Sequence, residues 1–205
     1  TLEVGKIVPA TGTAITLGES GDTLTVPSGA TLAVASGGTL ANSGTATGFG
    51  GGGKVLQVLQ PAAITSDTVS TTSSTFVDIA GLTQSITPSA ATSRILVCFN
   101  VMSGTNTGWH AHFRIVRDST AIGIGDANGS RKQSTSEGGG QNASIAESVT
   151  AMFIDSPNTT SATTYKLQWA TESGGTMYLN RSWTNTDNAN WGTFISTLTV
   201  VEVGA

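Results

Sequence analysis

The run RSWTNTDNANWG places two tryptophans, Trp183 and Trp191, around Asn185, Asp187 and Asn190. An indole offers a flat apolar face to the C–H side of a sugar ring, and amides and a carboxylate meet its hydroxyls, so this segment is the candidate glycan contact. The competing reading makes the tryptophans caps at the end of a domain or packing between subunits. The same oxygen-bearing alternation, Asn185 to Asn190, has a superficial likeness to a calcium loop. It lacks the central glycine and the closing bidentate glutamate of that loop, so a polar turn is the better reading.

His110 and His112 are the only histidines. On a strand their i, i+2 spacing puts both on one face, as a metal pair requires. In a threefold assembly they would form a ring of imidazoles near the axis. No cysteine or carboxylate cluster adjoins them in sequence, and no metal or other cofactor is assigned. The stretch GFGGGGKV, residues 48–55, is one residue short of a phosphate-binding loop: Val55 stands where a hydroxyl should hold magnesium, and neither flank has the required strand or helix. It reads as a linker. The G-x-S-x-G elbow of serine hydrolases is absent. Asp126, Glu137, Glu147, Asp155, Glu172 and Asp187 are scattered, so no carboxylate pair for glycoside hydrolysis is legible. The chain is read as a non-enzyme.

Charged residues make up 11% of the 205, against roughly 25% in ordinary soluble domains. Hydroxyls, amides and glycine replace them, which favours strands and turns. A net charge of −4 excludes general attraction to nucleic acid or anionic membrane. The single cysteine, Cys98, excludes an internal disulfide and lies in the apolar run RILVCFNV, where a buried inert thiol is expected. No signal peptide opens the chain and no apolar run approaches the ~18 residues of a membrane span, so a soluble, unexported chain is expected. Sequons at Asn128, Asn142, Asn158 and Asn180 are read as chance products of an Asn-, Ser- and Thr-rich composition.

Two unlike parts must position these residues. Residues 23–46 lay out as TLTVPSGA, TLAVASGG and TLANSGTA, an eight-residue repeat aligning Thr23, Thr31 and Thr39. Units this small cannot bury their own side chains, so residues 1–47 read as a repetitive β stalk or docking segment, with a disordered tether as the alternative. Residues 48–53 are the glycine linker, and 54–205 the main domain. There Ile95, Val97, Phe99 and Val101 share one strand face while Leu96, Cys98 and Met102 share the other. Ala111, Phe113 and Ile115 face inward against His110, His112 and Arg114; Tyr165, Leu167 and Trp169 face inward against Lys166 and Gln168. Further strands are expected at 54–59, 75–79, 82–87, 121–125, 146–155, 176–182 and 193–203, and no helix. The last carries Leu198 and Val200 on one face and Ile195, Val201 and Val203 on the other. Many short strands between turn residues imply an all-β, antiparallel, jelly-roll-like β-sandwich. Strands apolar on both faces imply that one sheet meets partner subunits, most simply in a homotrimer.

The segments GKVLQVLQ, STTSSTFVDIAGLTQSITPSAATSRILVCFNV, SPNTTSATTYKLQWA and YLNRSWTNTDNANWGTFISTLTVVEV together resemble the C-terminal domain of fibre proteins common in marine bacteriophages. SGDTLTVPSGATL and NSGTATGFGGGG resemble the connectors of the same group. The resemblance spans nearly the whole chain, most specifically residues 72–101, 155–170 and 178–203. It implies a trimeric virion fibre or decoration, assembled in the host bacterial cytoplasm, with a distal sandwich toward the host surface; it implies no catalytic residues. The expected partners are copies of the chain, other virion proteins through residues 1–50, and a host surface glycan. A capsid decoration protein stabilising the shell is the alternative, and a polysaccharide-active enzyme a distant third.

Overall fold

The computed structural model describes residues 22–23, 25–38, 54–106, 108–140 and 142–204. The chain divides into two compact units, Thr1–Phe49 and Gly50–Ala205.

In the first unit the repeat is geometric as well as sequential. Ala30 N donates to Pro27 O at 3.0 Å, and eight residues later Gly38 N donates to Ala35 O at 2.8 Å. The third position of each turn, Gly29 and Gly37, has φ of 84°, the left-handed value that a type II turn demands and glycine meets without strain. No strand occurs among the described residues here, and Val26, Leu32 and Val34 are exposed. The third repeat lies outside the described residues.

The second unit is all-β: β1 (Val55–Leu59), β2 (Ser70–Thr71), β3 (Val77–Ile86), β4 (Arg94–Thr105), β5 (His110–Arg117), β6 (Thr120–Ile122), β7 (Ser136–Gly139), β8 (Glu147–Asp155), β9 (Thr163–Thr171), β10 (Met177–Leu179) and β11 (Thr197–Val203). All pairings are antiparallel. A six-stranded sheet runs β1-β11-β4-β10-β2 with β8 on the free side of β4, and a five-stranded sheet runs β3-β9-β5-β6 with β7 also on β5. The sheets face each other across one core. Val97 and Phe99 of β4 meet Phe113 and Ile115 of β5 and Leu167 and Trp169 of β9, all nearly or fully buried, and the Phe99 and Phe113 rings lie 6.4 Å apart. The inward positions expected on β4, β5 and β9 are the buried ones.

The boundaries differ where a backbone irregularity intervenes. The expected strands at 75–79 and 82–87 are one strand, β3, whose pairing with β9 slips between Asp78 and Thr83. Gly81 sits in the slip with φ of 91°, and the bulge lets both Ile79 and Leu82 reach the core although their spacing breaks alternation. β7, the stretch SEGG, carries no strand signal. Its glycine is set by crowding: a Cβ on Gly138 would stand 2.6 Å from Val149 Cγ2. The two-residue β2 is too short for any periodicity.

The second face of the six-stranded sheet remains apolar and open. Strand registers align Val58, Val201, Leu96 and Ile154 in one cross-strand row, with Cys98 beside Met152. Met152 is 75% exposed, Val58 62% and Ile154 50%, while Leu96, Cys98 and Val201 are half-buried. Burial raises the Cys98 thiol pKa above its ordinary value, consistent with an unreactive thiol.

Candidate functional site

The loop between β10 and β11 is held at its root by a residue that the sequence disguises. Asn180, which reads as a sequon, is 1% exposed and has φ of 59°. Its Nδ2 donates to Ile64 O at 2.7 Å and Ser66 O at 3.0 Å, and its Oδ1 accepts from Ser196 Oγ at 2.8 Å. Ser196, itself buried, closes the other root through backbone hydrogen bonds with Ile64. Both ends of the loop are thereby clamped to one another and to the 64–66 segment. An amide so engaged is closed to glycosylation, whereas Asn128, Asn142 and Asn158 are exposed.

Above that clamp the loop is held by local bonds and by one to the segment before β8. Ser182 Oγ donates to Thr184 O at 2.7 Å, Thr184 N to Ala143 O at 2.8 Å and Trp191 N to Asn188 O at 3.0 Å. The Asn188 side chain accepts from Asn190 N at 2.9 Å, an Asx turn. Asn185 Nδ2 reaches across to Asp67 Oδ2 at 3.0 Å.

Two cavities share Asn185, Trp191 and Gly192 in their walls. The first, of about 200 Å³, is lined by the apolar Ile145 and Phe194 and by the polar Ser144, Ser182 and Asn190. The second, of about 340 Å³, is lined by Asp67, Thr186, Asp187 and Asn188. The expected contacts Asn185, Asp187, Asn190 and Trp191 are therefore brought together around one half-buried indole. Trp183 lines neither of these cavities. It packs edge-on against Tyr178, centroids 5.7 Å apart at 65°, and the Arg181 guanidinium stacks 4.0 Å from the Tyr178 ring centroid. Trp109 is also a packing residue: a Cβ on Gly175 would stand 2.6 Å from its Cε3 atom. Asp67, Ile145 and Phe194 join the site from distant or adjoining sequence with no local signal of their own.

The histidines stand apart, on the outward face of the five-stranded sheet. Their rings are stacked, centroids 6.1 Å apart, so the shared-face expectation holds in the structure. Glu137 of β7, paired opposite His112 in register, hydrogen-bonds His110 Nδ1 through Oε1 and lies 3.5 Å from His112 Nδ1 through Oε2. Glu172 Oε1 accepts from the His110 backbone N–H at 3.1 Å. The hydrogen bond and charge of Glu137 raise the His110 pKa, and burial lowers that of His112. Among the described residues no group of three or more histidine, cysteine or carboxylate side chains is placed to hold a metal ion. Ser134 Oγ approaches His112 at 3.4 Å, on the same Nδ1 atom that faces Glu137. With both neighbours on one nitrogen, this imidazole does not have the two-sided geometry of a nucleophile–base–carboxylate relay.

No helix among the described residues is long and apolar enough to cross a membrane. No family model matches the sequence, and no curated protein matches it closely enough to count as a relative.

Proposed function

We propose that this chain is a non-enzymatic structural protein of a bacteriophage virion, a fibre-like homotrimer held on the particle by residues 1–50 whose jelly-roll-like sandwich binds a host surface glycan. The observation that carries the binding role is the pair of cavities on Trp191, where an apolar ring face stands among amides and hydroxyls. The oligomeric part rests on the open apolar row Val58–Val201–Leu96–Ile154, which a neighbouring copy would take out of water.

The binding role is tested by cell adsorption of Trp191→Ala and Trp183→Ala proteins, with melting followed in parallel. Loss of a ring stacked on the ligand should cost about 1–3 kcal/mol per site, by analogy with bases on aromatics. Multivalency should make the Trp191 defect larger on cells than on soluble sugar. Trp183→Ala should lower the melting temperature through its lost contact with Tyr178 yet still adsorb. A Trp191→Ala protein that melts and adsorbs like the parent removes the site from consideration.

Shell decoration is the second reading, favoured by the same apolar sheet face, which would equally suit a flat capsid surface. Light scattering of the parent and of Met152→Glu should give a trimer and a smaller species; deletion of residues 1–50 should abolish incorporation while leaving the sandwich folded. A truncated protein that still copurifies with particles makes the sandwich the anchor.

A further inference from the structure

The walls of the two cavities carry charge of one sign only. Asp67 and Asp187 line the larger cavity, and no lysine, arginine or histidine lines either one. The smaller cavity is uncharged, lined by Ile145 and Phe194 as well as Ser144, Asn185 and Asn190. Carboxylate, phosphate and sulfate groups on a ligand are ordinarily met by arginine or lysine, whose paired hydrogen bonds offset desolvation of the anion. Here an anionic substituent would lose water and gain two carboxylate neighbours instead. The whole chain, at a net charge of −4, adds to that repulsion.

The apolar residues lining the smaller cavity have a complementary meaning. A sugar bearing only hydroxyls presents little to Ile145 and Phe194, whereas a methyl carried by a deoxy carbon or an acetamido group would cover them. The amides of Asn185 and Asn190 and the hydroxyl of Ser144 supply both donors and acceptors for the remaining edge of the ring, and Ser182 Oγ, whose proton goes to Thr184 O, can only accept. Because both cavities share Trp191 and Asn185, two consecutive sugars can occupy them across one indole.

Resting on the glycan-binding reading above, we propose that the ligand is an uncharged oligosaccharide: a deoxy or N-acetylated sugar fills the cavity at Ile145 and Phe194, and a hydroxyl-rich neutral sugar lies beside Asp67 and Asp187. Acidic glycans are rejected at the second position.

The full-length protein is tested by calorimetry and surface binding against a panel in which neutral deoxyhexose and N-acetylhexosamine oligosaccharides are paired with uronate- and sialate-bearing ones, at low and high salt. The neutral members should bind and the acidic members should be weaker by on the order of tenfold at low salt, the gap narrowing as salt screens the carboxylates. Asp187→Asn should shrink that gap, and Ile145→Ser should weaken the methyl-bearing sugars selectively. Preferential binding of acidic glycans by the parent protein overturns this inference and leaves the sugar-binding reading standing. Binding of no panel member overturns both. Since the parent alone decides acidic against neutral, a variant that fails to fold does not leave the question open.

Discussion

Tyr165 Oη donates to Asp155 Oδ2 at 2.6 Å, joining β9 of one sheet to β8 of the other inside the core boundary. The same carboxylate receives Arg117 Nη1 at 2.8 Å on each oxygen, so a buried charge is paired and its lone pairs are occupied. Burial and the adjacent carboxylate push the Tyr165 phenol far above its ordinary pKa, keeping it a donor at any physiological pH.

Removing single partners from this trio should have unequal effects. Tyr165→Phe leaves the Arg117–Asp155 pair intact and should cost about 1.5–3 kcal/mol, the loss of one hydrogen bond to a charged group. Asp155→Ala strands the arginine and the phenol together and should cost about 3–5 kcal/mol. Denaturant unfolding of both variants checks the order; equal losses would show that the tyrosine, not the carboxylate, organises the trio.

Glu202 predicts an acid-sensitive end of the sandwich. It lies on the core-facing side of β11, fully buried, and accepts from Ser89 N at 2.7 Å, Ser89 Oγ at 2.6 Å and Gln57 Nε2 at 2.5 Å. Burial by itself would raise its pKa, but these donors hold it down to about 2. A folded-state value below the unfolded one makes the stabilisation complete above about pH 4.5 and lost as pH falls toward 2. The loss should reach about 2–3 kcal/mol. Melting scans between these limits should show the decline, and Glu202→Gln, already weakened at neutral pH, should show a flatter one.

The two histidines should titrate apart although they share a face. Glu137 raises His110 above its model-peptide value, so any stability it adds is present at low pH and fades as pH rises through its folded pKa. Burial lowers His112, whose protonation therefore opposes the fold as pH falls. Proton NMR of the ring signals should find His110 on the alkaline side of 6.5 and His112 on the acid side. Glu137→Gln should lower both values, His110 more. Coincident titrations would argue against the Glu137 bridge.

Much of the sandwich was legible from alternation: Ala111, Phe113 and Ile115, and Tyr165, Leu167 and Trp169, are buried as their period of two requires. The double-sided apolar pattern of β4 was legible too, and its outer face is the open row at Leu96 and Cys98. Alternation alone splits β3, because a bulge at Gly81 changes the side-chain parity, and it passes over β7, where Gly138 is required by its close approach to Val149 and carries no hydrophobic period.

Neighbouring residues alone dictate which strand faces are apolar and which short segment combines indoles with amides. Which tryptophan lines the cavities follows from packing between distant segments. Trp183 and Trp191 have equivalent local surroundings in the sequence, yet Tyr178 and Arg181 engage the first segment while Ile145 and Phe194 enclose a cavity beside the second. Such packing also makes Asn180, one more asparagine in a polar run, the clamp of the loop, because its amide is satisfied by Ile64, Ser66 and Ser196. Those partners come from other segments of the chain, and a side chain's burial and hydrogen bonds depend on where the fold places its neighbours in space.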